Sequence, residues 1–191
     1  MATRIATVEF EGIAPYSQSR MHDTPKLEKE RPDDYEARTW REKSSYAQDG
    51  TIVIPAMAFK QALDTVARRL GEQIPGKGKA TYTKHFTGGV MCAEDIRLEG
   101  WTKDTVQPIT INANSDGVRG SGKRVKRTFP QIPAGWKGTA EFIVLDAIVT
   151  NEVFERHINE AGRFTGIGRF RPENGGLNGR FIIKSIKWSE A

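Results

Sequence analysis

Apolar positions recur with a helical period in one place above all. Phe59, Ala62, Leu63, Val66, Ala67 and Leu70 fall three and four residues apart, on one face of a helix over Ala56–Leu70. Pro55 suits the first turn and Gly71 a left-handed C-terminal cap. Elsewhere the pattern alternates or runs apolar, which predicts strands. Residues 4–13 place Ile5, Val8 and Phe10 among polar partners, and Thr51–Ile54 form a short apolar stretch. Residues 90–98 and 106–112 read as two more strands, the second weakened or at an edge because of Pro108. Residues 138–150 are the most apolar strand. Asn151 is the expected cap of a helix over 152–161, with Glu152 in its first turn, burying Val153, Phe154, His157 or Ile158, and Ala161. The last strand, 180–188, carries Phe181, Ile183, Ile186 and Trp188.

Between these elements the period is lost. Residues 14–50 hold prolines at 15, 25 and 32 and mixed charge, too long for an ordinary connection. Residues 73–89 and 114–136 are irregular and basic. With these insertions set aside, the order is strand, helix, strand, strand, helix, strand. That is the α+β, ferredoxin-like (RRM-like) βαββαβ arrangement, an antiparallel sheet with two helices on one face. The opposite face is expected to be free, and RNA-recognition domains of this topology bind RNA there.

Composition changes the picture modestly. Lysine and arginine number 29 against 24 acids, a net charge of +5, so the distribution of charge matters more than its total. The single cysteine, Cys92, excludes an internal disulfide and a cysteine-based zinc site. Acidic pairs such as Asp33-Asp34 and Glu94-Asp95 lack companions at metal-ligand spacing, so no metal and no cofactor is expected. No apolar run reaches membrane-spanning length, and a soluble, cytoplasmic protein with no membrane partner is expected.

Charge is concentrated in three stretches. Residues 162–180 combine the glycines Gly166, Gly168, Gly175, Gly176 and Gly179 with Arg163, Arg169, Arg171 and Arg180. Glycine permits close backbone approach and arginine supplies a phosphate-fitting fork, so this loop is expected to hold a polyanion. The Gly166-Ile167-Gly168 triplet follows a helix and precedes a strand, which rules out a Rossmann dinucleotide site. Arg119, Lys123, Arg124, Lys126 and Arg127 form a second patch, and Lys77, Lys79, Lys84 and His85 a third. The first two are expected to flank the sheet and line one groove, with Phe129, Phe164 and Phe170 near enough to stack bases.

Three landmarks then coincide: VEFEGIAPYS at 8–17, IPAMAFKQAL at 54–63 and GIGRFRPENGGLNGRF at 166–181. Their order and spacing resemble the RAMP superfamily, the RRM-like proteins of CRISPR effector complexes. Met57 and Gln61 depart from the small residues family members often carry in that helix. The resemblance covers the framework at both ends, about half the chain. It implies a backbone-like subunit that binds a guide RNA, with 114–136 a thumb- or finger-like hairpin and 14–50 a web- or palm-like insertion. It is also similar to stand-alone relatives from phages and mobile elements.

Four functions follow from these readings. The leading one is non-enzymatic binding of single-stranded nucleic acid, RNA preferred over DNA, with self-association head to tail or with CRISPR effector subunits. A metal-independent endoribonuclease of the same superfamily would need a histidine general acid or base, for which His85, with Tyr82 and Lys79 close by, is the candidate. A mimic occupying a subunit's place in an effector complex and a phage single-stranded-DNA-binding protein complete the set.

Overall fold

Burial along the first strand follows the alternation: Ala6, Val8, Phe10 and Gly12 point inward and their neighbours outward. The computed structural model describes residues 3–114 and 122–190. In chain order the elements are β1 (Arg4–Gly12), β2 (Tyr16–Ser17), α1 (Pro32–Thr39), β3 (Thr51–Ile54), α2 (Ala56–Leu70), α3 (Thr83–Gly89), β4 (Val90–Cys92), β5 (Ile96–Thr102), β6 (Gln107–Asn114), β7 (Arg124–Ile132), β8 (Lys137–Val144), α4 (Asn151–Glu160) and β9 (Phe181–Glu190).

The core is β1-α2-β4-β8-α4-β9. Its four strands lie in the order β4-β8-β1-β9, and every pair is antiparallel. This is the ferredoxin-like order, in which the first and third core strands are central. Phe59, Leu63 and Val66 of α2 and Phe154 and Ile158 of α4 pack with Val8, Phe10, Ala140 and Phe142 of the sheet. The Phe59 ring lies 5.0 Å from Phe10 and 5.2 Å from Phe181, which locks α2 to both central and edge strands. Outside this sheet, β3 pairs with β5, and β6 and β7 form a hairpin whose base pairs with β2.

Several expected boundaries move, each for a local reason. Residues 90–98 are two strands in different sheets. After Cys92 the chain makes one more bond to β8, from the Ala93 amide to the Glu141 carbonyl, and then turns away. Asp95 is drawn off to accept the Ala56 amide at the start of α2, at 2.9 Å. Residues 138–150 stop being strand at Val144, because Asp146 folds the next residues into a turn by accepting the Ile148 amide. The cap of α4 is Thr150, whose hydroxyl accepts from the Val153 amide. Asn151 instead accepts from the Arg4 guanidinium at 2.6 Å. Beyond Glu160 the helix continues as one π turn, Ala161–Thr165, which sets Gly162 against the Phe181 carbonyl.

The aperiodic segments also hold helices. The α1 helix has Pro32 in its first turn and Asp33 and Asp34 against its positive end. It buries only Glu36 and Thr39, so it has no apolar stripe to reveal it. No helix among the described residues is long and apolar enough to cross a membrane, and no group of three metal-ligating side chains occurs among them.

Candidate nucleic-acid interface

The free face of the sheet is not a basic platform. Register places Thr7, Glu9 and Glu11 of β1 beside Glu141, Thr139 and Lys137 of β8, and beside Lys187 and Ser185 of β9. Its lysines are spent locally: Lys137 and Lys184 approach Glu11, and Lys187 approaches Glu9. This surface is mixed in charge and lacks the stacking phenylalanines, so the expectation that a polyanion lies across it is overturned.

The cations gather instead at the seam made by β2. Tyr16 and Ser17 pair with Ile132 and Gln131 at the base of the hairpin. The same residues receive the glycine-rich loop, because the Arg169 amide donates to the Ser17 carbonyl and the Gly179 amide to the Pro15 carbonyl, both at 2.7 Å. Gly168 lies so close to Tyr16 and Ser17 that a side chain there would strike both. Behind this seam Gln18 donates to the Tyr16 hydroxyl and the Val53 carbonyl and accepts from the Ser45 amide. Burial raises the Tyr16 phenol well above its ordinary value, so it stays neutral.

Docking of the loop fixes Arg169. Its guanidinium stands 3.4 Å from the Phe129 ring centroid and 3.8 Å from that of Phe170. Burial pushes its pKa down to about 10. Its Nη1 is buried with no hydrogen-bond acceptor, and among the described residues no carboxylate lies within ion-pairing distance. Arg169 borders a cavity of about 540 Å³ that Arg20, Arg171, Gln18, Ser45 and Asn174 also line, and no acid lines it. Pro55 and Ala58 at the start of α2 close one side. Arg171 reaches Glu173 at 2.7 Å and the Gly168 carbonyl.

A second cluster backs the seam. The Glu36 carboxylate accepts from Lys43, takes the Thr128 amide of the β7 edge at 2.7 Å and lies 3.5 Å from Arg127. Lys43 also donates to the Thr128 carbonyl at 2.8 Å. Burial alone would raise the Glu36 pKa, but the hydrogen bonds from Lys43 and Thr128 outweigh it and hold the carboxyl below its usual range. These side chains satisfy the edge of β7 where its pairing with β2 has ended.

The other anticipated site residues divide. Arg169, Arg171 and Gly168 meet at the cavity. Gly166, Gly176 and Gly179 are packed against the loop's own chain, at Pro172, Phe170 and Ile167, so close approach there serves the fold; Gly175 alone faces open space. Arg163 pairs with Glu160 and, with Arg69, covers the Phe164 ring, while Arg180 donates to the Arg163 carbonyl. Lys123, Arg124 and Lys126 are exposed near the far end of the hairpin, Arg127 is tied to Glu36, and Arg119 lies outside the described residues.

Lys77, Lys79, Lys84 and His85 belong to α3 and the chain before it. That element packs on the Lys60 and Ala67 flank of α2, whereas Ala58 faces the cavity about 200° round the helix from Lys60. The third patch is therefore not part of the site. His85 is held by Asp146 at 2.7 Å, but Tyr82, expected to assist it, is buried against His157. Of the phenylalanines, Phe129 is buried beneath Arg169 and Phe164 lies under two arginines, which leaves Phe170.

Sequence reasoning did not find Arg20, Gln18, Ser45 or Asn174. The only local signal was the change from strand to polar residues after Pro15.

Fold and site together define an RRM-like α+β protein with a cationic cavity between its glycine-rich loop and its first core helix. The fold is shared with a chain of the Type III-B Cmr-beta complex bound to cognate target RNA, at a TM-score of 0.56 and 14% identity. That match covers 99% of this chain and 61% of the other, so the present chain spans about three-fifths of it. Cmr6 from Pyrococcus furiosus also shares it, at a TM-score of 0.53 and 12% identity over 96% of this chain and 99% of that one. No family model and no curated protein sequence matches the chain.

Proposed function

We propose that this chain binds single-stranded nucleic acid without cleaving it, RNA in preference to DNA, as a subunit of a CRISPR-type effector assembly. The observation that carries the reading is Arg169: a half-buried guanidinium, flanked by two rings, with an unmet Nη1 donor and no carboxylate, at a cavity shared with Arg20 and Arg171. A phosphate in the cavity supplies the missing countercharge, and the fork of arginine suits it. The preference for RNA is supported by the fold's likeness to a complex bound to target RNA. The hairpin cations Lys123, Arg124 and Lys126 extend the phosphate path beyond the cavity, and the hairpin and segment 14–50 reach neighbouring subunits or copies.

The test is fluorescence anisotropy of labelled RNA and DNA oligomers of one sequence, titrated across salt. Six phosphate contacts, by the three cavity arginines and the three hairpin cations, predict a slope of log K against log salt of about −4. Arg169→Glu is expected to weaken binding strongly, and Arg124→Glu with Lys126→Glu to weaken it further and flatten the slope. Binding that ignores Arg169→Glu would overturn the proposal.

A further inference from the structure

The glycine-rich loop contains one residue in a conformation its chemistry does not favour. Phe170 has φ +57°, a left-handed backbone that bulky side chains rarely adopt. Its loop neighbours in that region, Gly166, Gly168, Gly175 and Gly179, are all glycine. The conformation is imposed by bracing on both sides: the Phe170 carbonyl accepts from the Asn178 amide at 3.0 Å, and Gly176 packs against it. Glycine would fit this position without strain. An aromatic ring stands there instead, 44% exposed at the edge of the cavity.

Its surroundings define the ring's availability. The Arg169 guanidinium lies 3.8 Å from the ring centroid, and no other aromatic ring pairs with Phe170 among the described residues. Strain of this kind at a ligand-lined position is retained where the side chain has work to do. We infer that Phe170 stacks an unpaired base of the strand whose phosphate occupies the Arg169 cavity. The site thus takes a nucleotide by two handles, an anion on the guanidinium and a base on the ring beside it. A duplex, whose bases are already stacked and paired, does not offer the second handle. This inference rests on the proposal that the cavity takes a nucleic-acid phosphate.

The experiment compares two probes of equal length and charge, a short oligouridylate and an oligomer of abasic nucleotides, on the full chain and on Phe170→Gly. The intact protein is expected to favour the oligouridylate by about 5- to 140-fold, the range for one stacked base. Phe170→Gly should lose that preference, weaken binding of the abasic oligomer far less than that of the oligouridylate, and melt near the parent temperature because the relief of strain offsets the lost contact with Arg169. Phe170→Asn, which tolerates the same backbone, provides the same comparison should the glycine variant misfold. Retention of the base preference by either variant would overturn the inference, as would a melting temperature well below the parent in both, which would make the ring structural. If the intact chain binds neither oligomer, the phosphate-site proposal fails as well. If it binds both equally, only the stacking role fails.

Discussion

Arg169→Met separates a functional arginine from a structural one. Methionine keeps a long stem that can lie between Phe129 and Phe170 while deleting the charge. The losses are two cation–π contacts, at 3.4 and 3.8 Å, each contributing about 0.5–2 kcal/mol. Against them stands the buried Nη1 without an acceptor, a donor whose desolvation costs about 1–3 kcal/mol. Sulfur–aromatic contact returns about 0.3–1.5 kcal/mol. These terms nearly cancel, and since about 1 kcal/mol moves the Tm of a protein this size by roughly 2–4 °C, the variant should melt within about 5 °C of the parent. Binding should respond differently. One phosphate contact fewer lowers the magnitude of the salt slope by about 0.7 for a single strand. Circular dichroism melts and anisotropy titrations on one preparation decide the matter. A Tm lowered by more than about 10 °C would mean the arginine staples the loop, and an unchanged slope would mean no phosphate meets it.

Glu36→Ala should do the reverse, damaging the fold first. It leaves Lys43 and Arg127 without their carboxylate and the Thr128 amide without its acceptor. Breaking such a buried pair costs about 3–5 kcal/mol, or roughly 6–20 °C in Tm. The Glu36 pKa is held below its unfolded value. Its stabilisation is therefore present above about pH 4.3 and lost as pH falls through the folded value, so the variant's acid limb should be flatter; a parallel limb would refute the hub. His157 gives a second pH test. Burial lowers its pKa, its ring nitrogen bonds the Val153 carbonyl at 2.8 Å, and its Nε2 is buried without a partner. The unfolded chain takes up the proton first, so this stability is complete above about pH 6.5 and declines as pH drops below it toward the folded value. The Tm difference between the parent and His157→Phe should change across that window; a constant difference would refute it.

The framework was legible because its elements bury apolar side chains at regular spacing. The α2 face from Phe59 to Ala67 and the inward set Ala6, Val8 and Phe10 both write their period into the chain. What pattern cannot show is an element that buries polar groups. The inward residues of α1 are Glu36 and Thr39, so its sequence reads as a solvated segment even though it braces β7. Asp95 and Asp146 ended two anticipated strands by capturing amides, and such side-chain choices depend on partners far off in sequence.

The site was half legible for a related reason. Loop composition pointed to Arg169 and Arg171, but Arg20 and the covering of Phe129 depend on β2, two residues long and below the reach of any periodic signal. Those two residues pair with β7 and also receive the glycine-rich loop, which makes them the joint between the two basic segments. The expected platform failed on evidence already present in the first strand. Alternation that buries Val8 and Phe10 necessarily turns Glu9 and Glu11 outward. Those carboxylates engage the lysines of that face, and the arginines that line a cavity without an acid are the ones gathered by β2 and the loop it receives.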